Sequence, residues 1–367
     1  MKLLSRVVAR CAPSYSVVRM FGGHFVLFGL AIFLVCKPTV LQAQPADRHD
    51  PHLALGTVSV LGNITCLPGA TKGASCVSIQ VSCPNVPALK ATIAIATPAG
   101  SAAGTIVLLS GNAGTALYNS GFATPYLSHG FRIVQVGWTS DWQDTGGVGL
   151  KSAGCRPATV FQWIFNGVHG GSRTTGFCAQ GISGGGIQLA YSLAEYGLAD
   201  YFDYVVMGSA PGFARVDYGC DASLYTGGPL NLCPLLPNAP YAFPHGERED
   251  QYENTTSCSQ SNPPQSDIEK WASDSIISTG ADFSYPQTDM SLYFCTTPPL
   301  VNSTGEGFFY IQQLMPKSPP DVNCYAGVCK LEAVWMDPDA FNLAQAQMLA
   351  RCVPNHQLLT ERRVRAR

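Results

Sequence analysis

The run Gly181-Ile182-Ser183-Gly184-Gly185 has the residue types and the spacing of a nucleophile elbow. In Gly-x-Ser-x-Gly a strand ends, the chain turns sharply at the serine, and a helix begins. Small flanking residues are needed because a side chain there would strike the neighbouring strand or helix. The turn lifts the hydroxyl above the sheet edge, and the new helix aims backbone N–H groups at the same point. That arrangement suits attack of Ser183 on an acyl carbonyl, with the N–H of Gly184 as one donor to the oxyanion. The small loop Gly111-Asn112-Ala113-Gly114 offers the second donor, from Gly111 or Asn112. Each such fixed donor stabilises a tetrahedral oxyanion by about 3 kcal/mol. A glycine-rich packing turn without chemistry is the competing reading. A phosphate-binding loop fits less well, since no Lys-Ser/Thr follows and the spacing is not Gly-x-Gly-x-x-Gly.

The elements that must hold these residues read as an α/β sheet protein, with short apolar runs alternating with Gly-rich turns and helical stretches. Strands are expected at 85–97, at the doubly buried run 105–109, at 131–136, at 176–180, at 203–207 and at 291–295. Helices are expected at 116–127, 155–165, 187–196 and 338–350. Residues 217–288, rich in Pro, Ser, Asn and Gly, read as an insertion or cap with little periodicity. Trp138 and Trp142 lie near the strand ends and are candidates either to line an apolar pocket or to pack.

Composition narrows the setting. The 367 residues carry a formal net charge of −2 with 13% charged residues. No Lys/Arg-rich interior stretch gives the electrostatic footprint of a nucleic-acid binder. Lys2, Arg6, Arg10 and Arg19 precede the apolar run Phe25–Val35, and Leu41-Gln42-Ala43 follows as a cleavage site. This is the order of an export signal over 1–43, leaving a mature domain of 44–367. The apolar run is shorter than the roughly 20 residues a spanning helix needs, so stable membrane insertion after cleavage is not expected.

Of the 14 cysteines, Cys11 and Cys36 fall in the signal, and the even remainder suggests disulfides and a secreted or periplasmic destination. Close-spaced candidates are Cys66 with Cys76 or Cys83, Cys155 with Cys178, Cys220 with Cys233, and Cys324 with Cys329. No Cys-x-x-Cys is present, and His356 alone lies within five residues of a cysteine, which leaves no zinc pattern. Neither a metal nor an organic cofactor is expected; the expected partner is a small acyl substrate.

The run Cys178-Ala179-Gln180-Gly181-Ile182-Ser183-Gly184-Gly185-Gly186, followed by Leu193-Ala194-Glu195-Tyr196-Gly197-Leu198, resembles the elbow and helix of secreted α/β-hydrolases, the serine esterases and lipases. The likeness covers about residues 85–215. It implies an eight-stranded type of α/β sheet and acyl transfer through a serine. It also implies a triad in the chain order Ser, acid, His, with the acid after a late strand and the His before the last helix.

Both of those positions lack the expected residue. Thr296-Thr297-Pro298-Pro299 follows the late strand without a carboxylate, and the run from Cys324 to Trp335 contains no histidine. Two histidines follow Ser183, His245 in the insertion and His356 beyond the last helix. His356 is taken as the base, with Asp217 or Asp221 as the orienting acid; His245 could serve instead from the insertion. The alternative is an incomplete site on a hydrolase-like scaffold that binds a ligand or partner.

Overall fold

A computed structural model describes residues 53–225, 233, 246–258, 260–295, 301–325 and 337–354. The expected signal at 1–43, together with His245 and His356, lies outside these residues. In chain order the strands are β1 (Thr57–Ile64), β2 (Ser75–Cys83), β3 (Val86–Ala96), β4 (Gly104–Leu109), β5 (Arg132–Trp138), β6 (Gly176–Ile182), β7 (Tyr204–Gly208), β8 (Ser284–Tyr285), β9 (Asp289–Cys295), β10 (Met315–Pro316) and β11 (Asp321–Tyr325). Nine of them form one sheet in the order β1-β2-β3-β5-β4-β6-β7-β9-β11, and β8 pairs with β10 apart from it. From β5 to β11 neighbouring strands are parallel, while β1, β2 and β3 run antiparallel to their neighbours.

The apolar run in β4 explains the layering. Ile106 and Leu108 face one side and Val107 and Leu109 the other, all at 1% exposure or less. The helices are α1 (Ser120–Ser128), α2 (Leu150–Ala153), α3 (Cys155–Trp163), α4 (Gly184–Ala194), α5 (Val216–Cys220), α6 (Gly246–Glu253), α7 (Gln265–Asp274), α8 (Val301–Gln313) and α9 (Pro338–Arg351). Ala123 and Tyr126 of α1 and Ala340, Ala344 and Met348 of α9 cover the first face. The other face is covered by α3 and α4 together with buried residues of α7 and α8. Every side chain of β9 is buried, so this late strand is a central one.

Several boundaries differ from the expected ones for local reasons. Helix α1 begins at Ser120 rather than 116, because the Asn119 side chain caps it by accepting the Gly121 N–H at 2.8 Å. Helix α3 stops at Trp163 and runs into a wider turn over Ile164–Val168. Helix α4 starts directly after Ser183, three residues earlier than expected. The insertion is more regular than its composition suggests, since α5, α6 and α7 all fall within 217–288 or at its edge.

The disulfides are corrected more strongly. Cys66–Cys76 forms as expected, but Cys83 bonds Cys155, Cys178 bonds Cys352, Cys220 bonds Cys258 and Cys233 bonds Cys324. The expected Cys155–Cys178, Cys220–Cys233 and Cys324–Cys329 pairs are therefore excluded. Cys295 is also disulfide-bonded.

The insertion is tied to the C-terminal edge of the sheet by polar contacts. The Tyr252 hydroxyl donates to Asp141 at 2.6 Å, and the Leu150 N–H donates to Glu253 at 3.0 Å. The Tyr191 hydroxyl donates to the Asp274 carbonyl at 2.7 Å. Glu253 is fully buried, and burial first, then its hydrogen bond with the Asp274 side chain and that group's charge, hold its carboxyl well above the ordinary 4.5. The folded state thus keeps a proton that the unfolded chain loses. Its stability contribution is whole below pH 4.5 and declines as pH rises toward the raised value. Glu253→Gln is expected to flatten that decline, which amounts to at most about 1.4 kcal/mol per pH unit. Thermal melts at a series of pH values check this; an unchanged slope would show that the pair is not the source.

Candidate active site

The sheet order and the strand–turn–helix at Ser183 are those of the α/β-hydrolase fold. Ser183 stands between β6 and α4 at φ 49° and ψ −118°, a conformation costly for a residue with a side chain. Its own N–H donates to the Gly208 carbonyl at 2.7 Å, and its carbonyl receives the Ile187 N–H at 3.0 Å. The first bond fastens the turn to β7 and the second starts the helix.

The flanking glycines are dictated by close backbone approach. A Cβ on Gly181 would lie 2.4 Å from the carbonyl of Gly185, and one on Gly185 would lie 2.4 Å from the Leu109 oxygen. The motif therefore presses the elbow onto its own helix and onto the end of β4 together.

The loop after β4 sits against the same point. A Cβ on Gly111 would be 3.3 Å from the Ser183 Cβ, and one on Gly184 would be 2.0 Å from the Asn112 oxygen. Ser183, Gly184, Gly111 and Asn112 are thus brought together at one point. Asn112 itself has φ 53°. The loop is braced from behind: the Gly114 N–H bonds the Gly111 carbonyl, the Trp138 N–H bonds the Gly114 carbonyl, and the Trp142 N–H bonds the Ala113 carbonyl.

Trp138 and Trp142 are at most 2% exposed, so they pack under this loop instead of lining an open pocket. The Trp138 indole N–H donates to Gln188 of α4 at 2.9 Å. Arg156, buried on α3, donates to the carbonyls of Trp142 and Asp144 at 2.7 Å and of Pro87 at 2.8 Å, clamping the brace to the sheet. A fixed loop is what oxyanion donation requires.

The partners of Ser183 are less complete. Asp217 lies on α5 after β7, 3% exposed, and both its oxygens take the Arg215 guanidinium at 2.8 and 2.5 Å. Asp221 accepts the N–H and the hydroxyl of Ser223. His129 is an exposed residue at the end of α1, its Nδ1 2.7 Å from the Pro125 carbonyl. His169 is buried between Thr105, at the start of β4, and the Ser172 carbonyl, at 3.0 and 2.9 Å. It therefore stands at the N-terminal edge of the sheet, opposite Ser183, and burial lowers its pKa.

One carboxylate escaped the sequence reading. Glu306 on α8, the sole Asp or Glu between Cys295 and Asp321, accepts the Arg215 N–H at 2.6 Å. Burial pushes it up to about 8, against the lowering effect of that N–H. Its position on the helix after β9 was the available signal. It acts on the backbone of the turn that carries Asp217.

No protein-family model and no curated protein matches the chain. Solved structures do resemble it. Acetyl xylan esterase 1 from Thermoanaerobacterium sp. is 12% identical and aligns over 81% of this chain and 88% of its own, at a TM-score of 0.47. An esterase from Pyrobaculum calidifontis is 15% identical over 76% and 86%, at 0.47. Brefeldin A esterase, a bacterial homologue of human hormone-sensitive lipase, is 15% identical over 80% and 81%, also at 0.47.

Proposed function

We propose that this chain is an exported serine hydrolase acting on ester or similar small acyl substrates, with Ser183 as nucleophile. The observation that carries the reading is the convergence of a strained serine, the first N–H of α4 and the braced Gly111-Asn112 loop at one point. Ser183 attacks the carbonyl, and the N–H groups of Gly184 and of Gly111 or Asn112 hold the oxyanion until the alcohol leaves. Water then releases the acyl group from Ser183. This chemistry asks for no cofactor. Disulfides on both faces of the sheet support an oxidising destination, secreted or periplasmic.

The base is the open role, and the anchoring of α9 bears on it. Cys352 is bonded to Cys178, and its carbonyl lies against Gly176, the first residue of β6. Ser183 follows the far end of that 7-residue strand, roughly 23 Å away by strand rise. From Cys352 to His356 are four residues, up to about 14 Å of extended chain before the side chain is added. His356 is kept as the proposed base, with His245, which directly precedes α6 in the chain, as the alternative. Asp217 remains the proposed acid, in competition with its Arg215 pair.

A specific observation favours a second reading. The two strands whose following segments hold acid and His in this fold are β9 and β11, and residues 296–300 and 326–336 contain neither Asp nor His. A scaffold that binds an acyl ligand without turning it over fits that pattern. Labelling of the oxidised mature protein with a fluorophosphonate probe separates the two. The expected result is a label that vanishes in Ser183→Ala. Absence of label from the folded protein would overturn the hydrolase reading and leave the binding one.

A further inference from the structure

An oxyanion site made of one donor from α4 and one from the Gly111–Gly114 loop depends on whatever sets the spacing of that loop from that helix. Gly184 and Gln188 are four residues apart on α4 and so share one helix face. Gly184 meets the loop at Asn112, by close backbone approach. Gln188 meets it at Gly114. A Cβ on that glycine would lie 3.1 Å from the Gln188 Nε2, 2.8 Å from the Trp138 Cδ1 and 3.3 Å from the Trp142 Cδ1.

The orientation of the Gln188 amide follows from its partner. An indole N–H only donates, so the Trp138 Nε1–H at 2.9 Å turns Oε1 toward Trp138 and leaves Nε2 toward Gly114. Trp138 also holds the loop by its backbone, its N–H donating to the Gly114 carbonyl at 2.9 Å. Helix, tryptophan and loop thus form one closed set of contacts, with the Gln188 side chain 1% exposed inside it. An apolar side chain of the same length would fill that space but leave the buried indole N–H unbonded, so the polar amide is what fixes the arrangement.

We propose that Gln188 is a positioning residue of the Ser183 site, its amide holding the Gly111–Gly114 loop at the distance from α4 that lets both oxyanion donors act together. This rests on the hydrolase reading above. Gln188 transfers no proton and touches no substrate; it acts through Gly114 and Trp138. Its effect therefore falls on the tetrahedral oxyanion and not on binding of the uncharged ester.

The test measures p-nitrophenyl acetate hydrolysis, and inhibition by phenylboronic acid, which forms a tetrahedral anion on the serine. Wild type is compared with Gln188→Met, Gln188→Glu and Ser192→Ala, beside fluorophosphonate labelling of wild type and Ser183→Ala. Gln188→Met loses both polar atoms; Gln188→Glu keeps the acceptor for Trp138 and places an oxygen against Gly114. For both we expect kcat to fall about tenfold, short of the loss from deleting a donor outright, with KM little changed and phenylboronic acid bound about tenfold more weakly. Either variant carries the test if the other fails to fold. Ser192→Ala removes a 2.6 Å bond to the Gln188 carbonyl on the same helix and is expected to keep kcat. An unchanged kcat in the folded Gln188 variants, a loss confined to KM, or an equal loss in Ser192→Ala would overturn the role of Gln188 while wild type still labels at Ser183. A wild type that neither labels nor hydrolyses the ester sinks the Ser183 reading and this one with it.

Discussion

Gly184→Ala is expected to cost more than about 4 kcal/mol of stability and to remove fluorophosphonate labelling of whatever protein still folds. The new Cβ would stand 2.0 Å from the Asn112 oxygen and 3.0 Å from its carbon and nitrogen. All three are backbone atoms, so no rotamer change relieves the contact. The loop cannot withdraw easily, being tied to Trp138 and Trp142 by backbone bonds and through Trp142 to the buried Arg156. Two responses remain, displacement of the loop or failure of the elbow to form. Either removes an oxyanion donor, a loss of about a hundredfold or more in rate. Urea unfolding and labelling of Gly184→Ala beside Gly100→Ala make the comparison, since a Cβ on Gly100 meets nothing within 4 Å. Near-normal labelling of Gly184→Ala would mean that the loop is not held as described.

The second large effect is covalent. Removing Cys178–Cys352 through the double alanine variant is expected to destabilise the chain by about 5 kcal/mol by loop entropy, the two residues being 174 apart. Cys66–Cys76 closes a separation of 10, for which the same relation gives about 3 kcal/mol. Guanidinium unfolding of the two double variants should order them so. The larger loss also has a packing component, because Cys178 and Cys352 are both buried beneath α9. If the short pair proved the costlier, the link between α9 and β6 would not be a principal restraint.

What could be read from the chain follows the range of the forces involved. The elbow was legible because its glycines answer to contacts within a few residues, Gly181 against Gly185. The apolar run of β4 was legible because both of its faces are covered. By contrast β1 is mostly exposed, and β11, Asp-Val-Asn-Cys-Tyr, is half-buried throughout, so neither carries an apolar run to announce it. Cys83–Cys155 and Cys233–Cys324 are 72 and 91 residues apart and meet only because the sheet assembles. Spacing along the chain held no trace of them.

The Cys178–Cys352 bond also changes what a broken backbone means for this molecule. It encloses the whole insertion together with strands β7, β9 and β11 of the sheet within one covalent ring. A protease that nicks any one peptide bond between those two cysteines opens the ring without releasing a fragment. On a gel without reductant the nicked chain travels as a single species, and only added thiol separates its pieces. An intact band therefore certifies the ring and not the backbone, and integrity of this protein has to be judged after reduction.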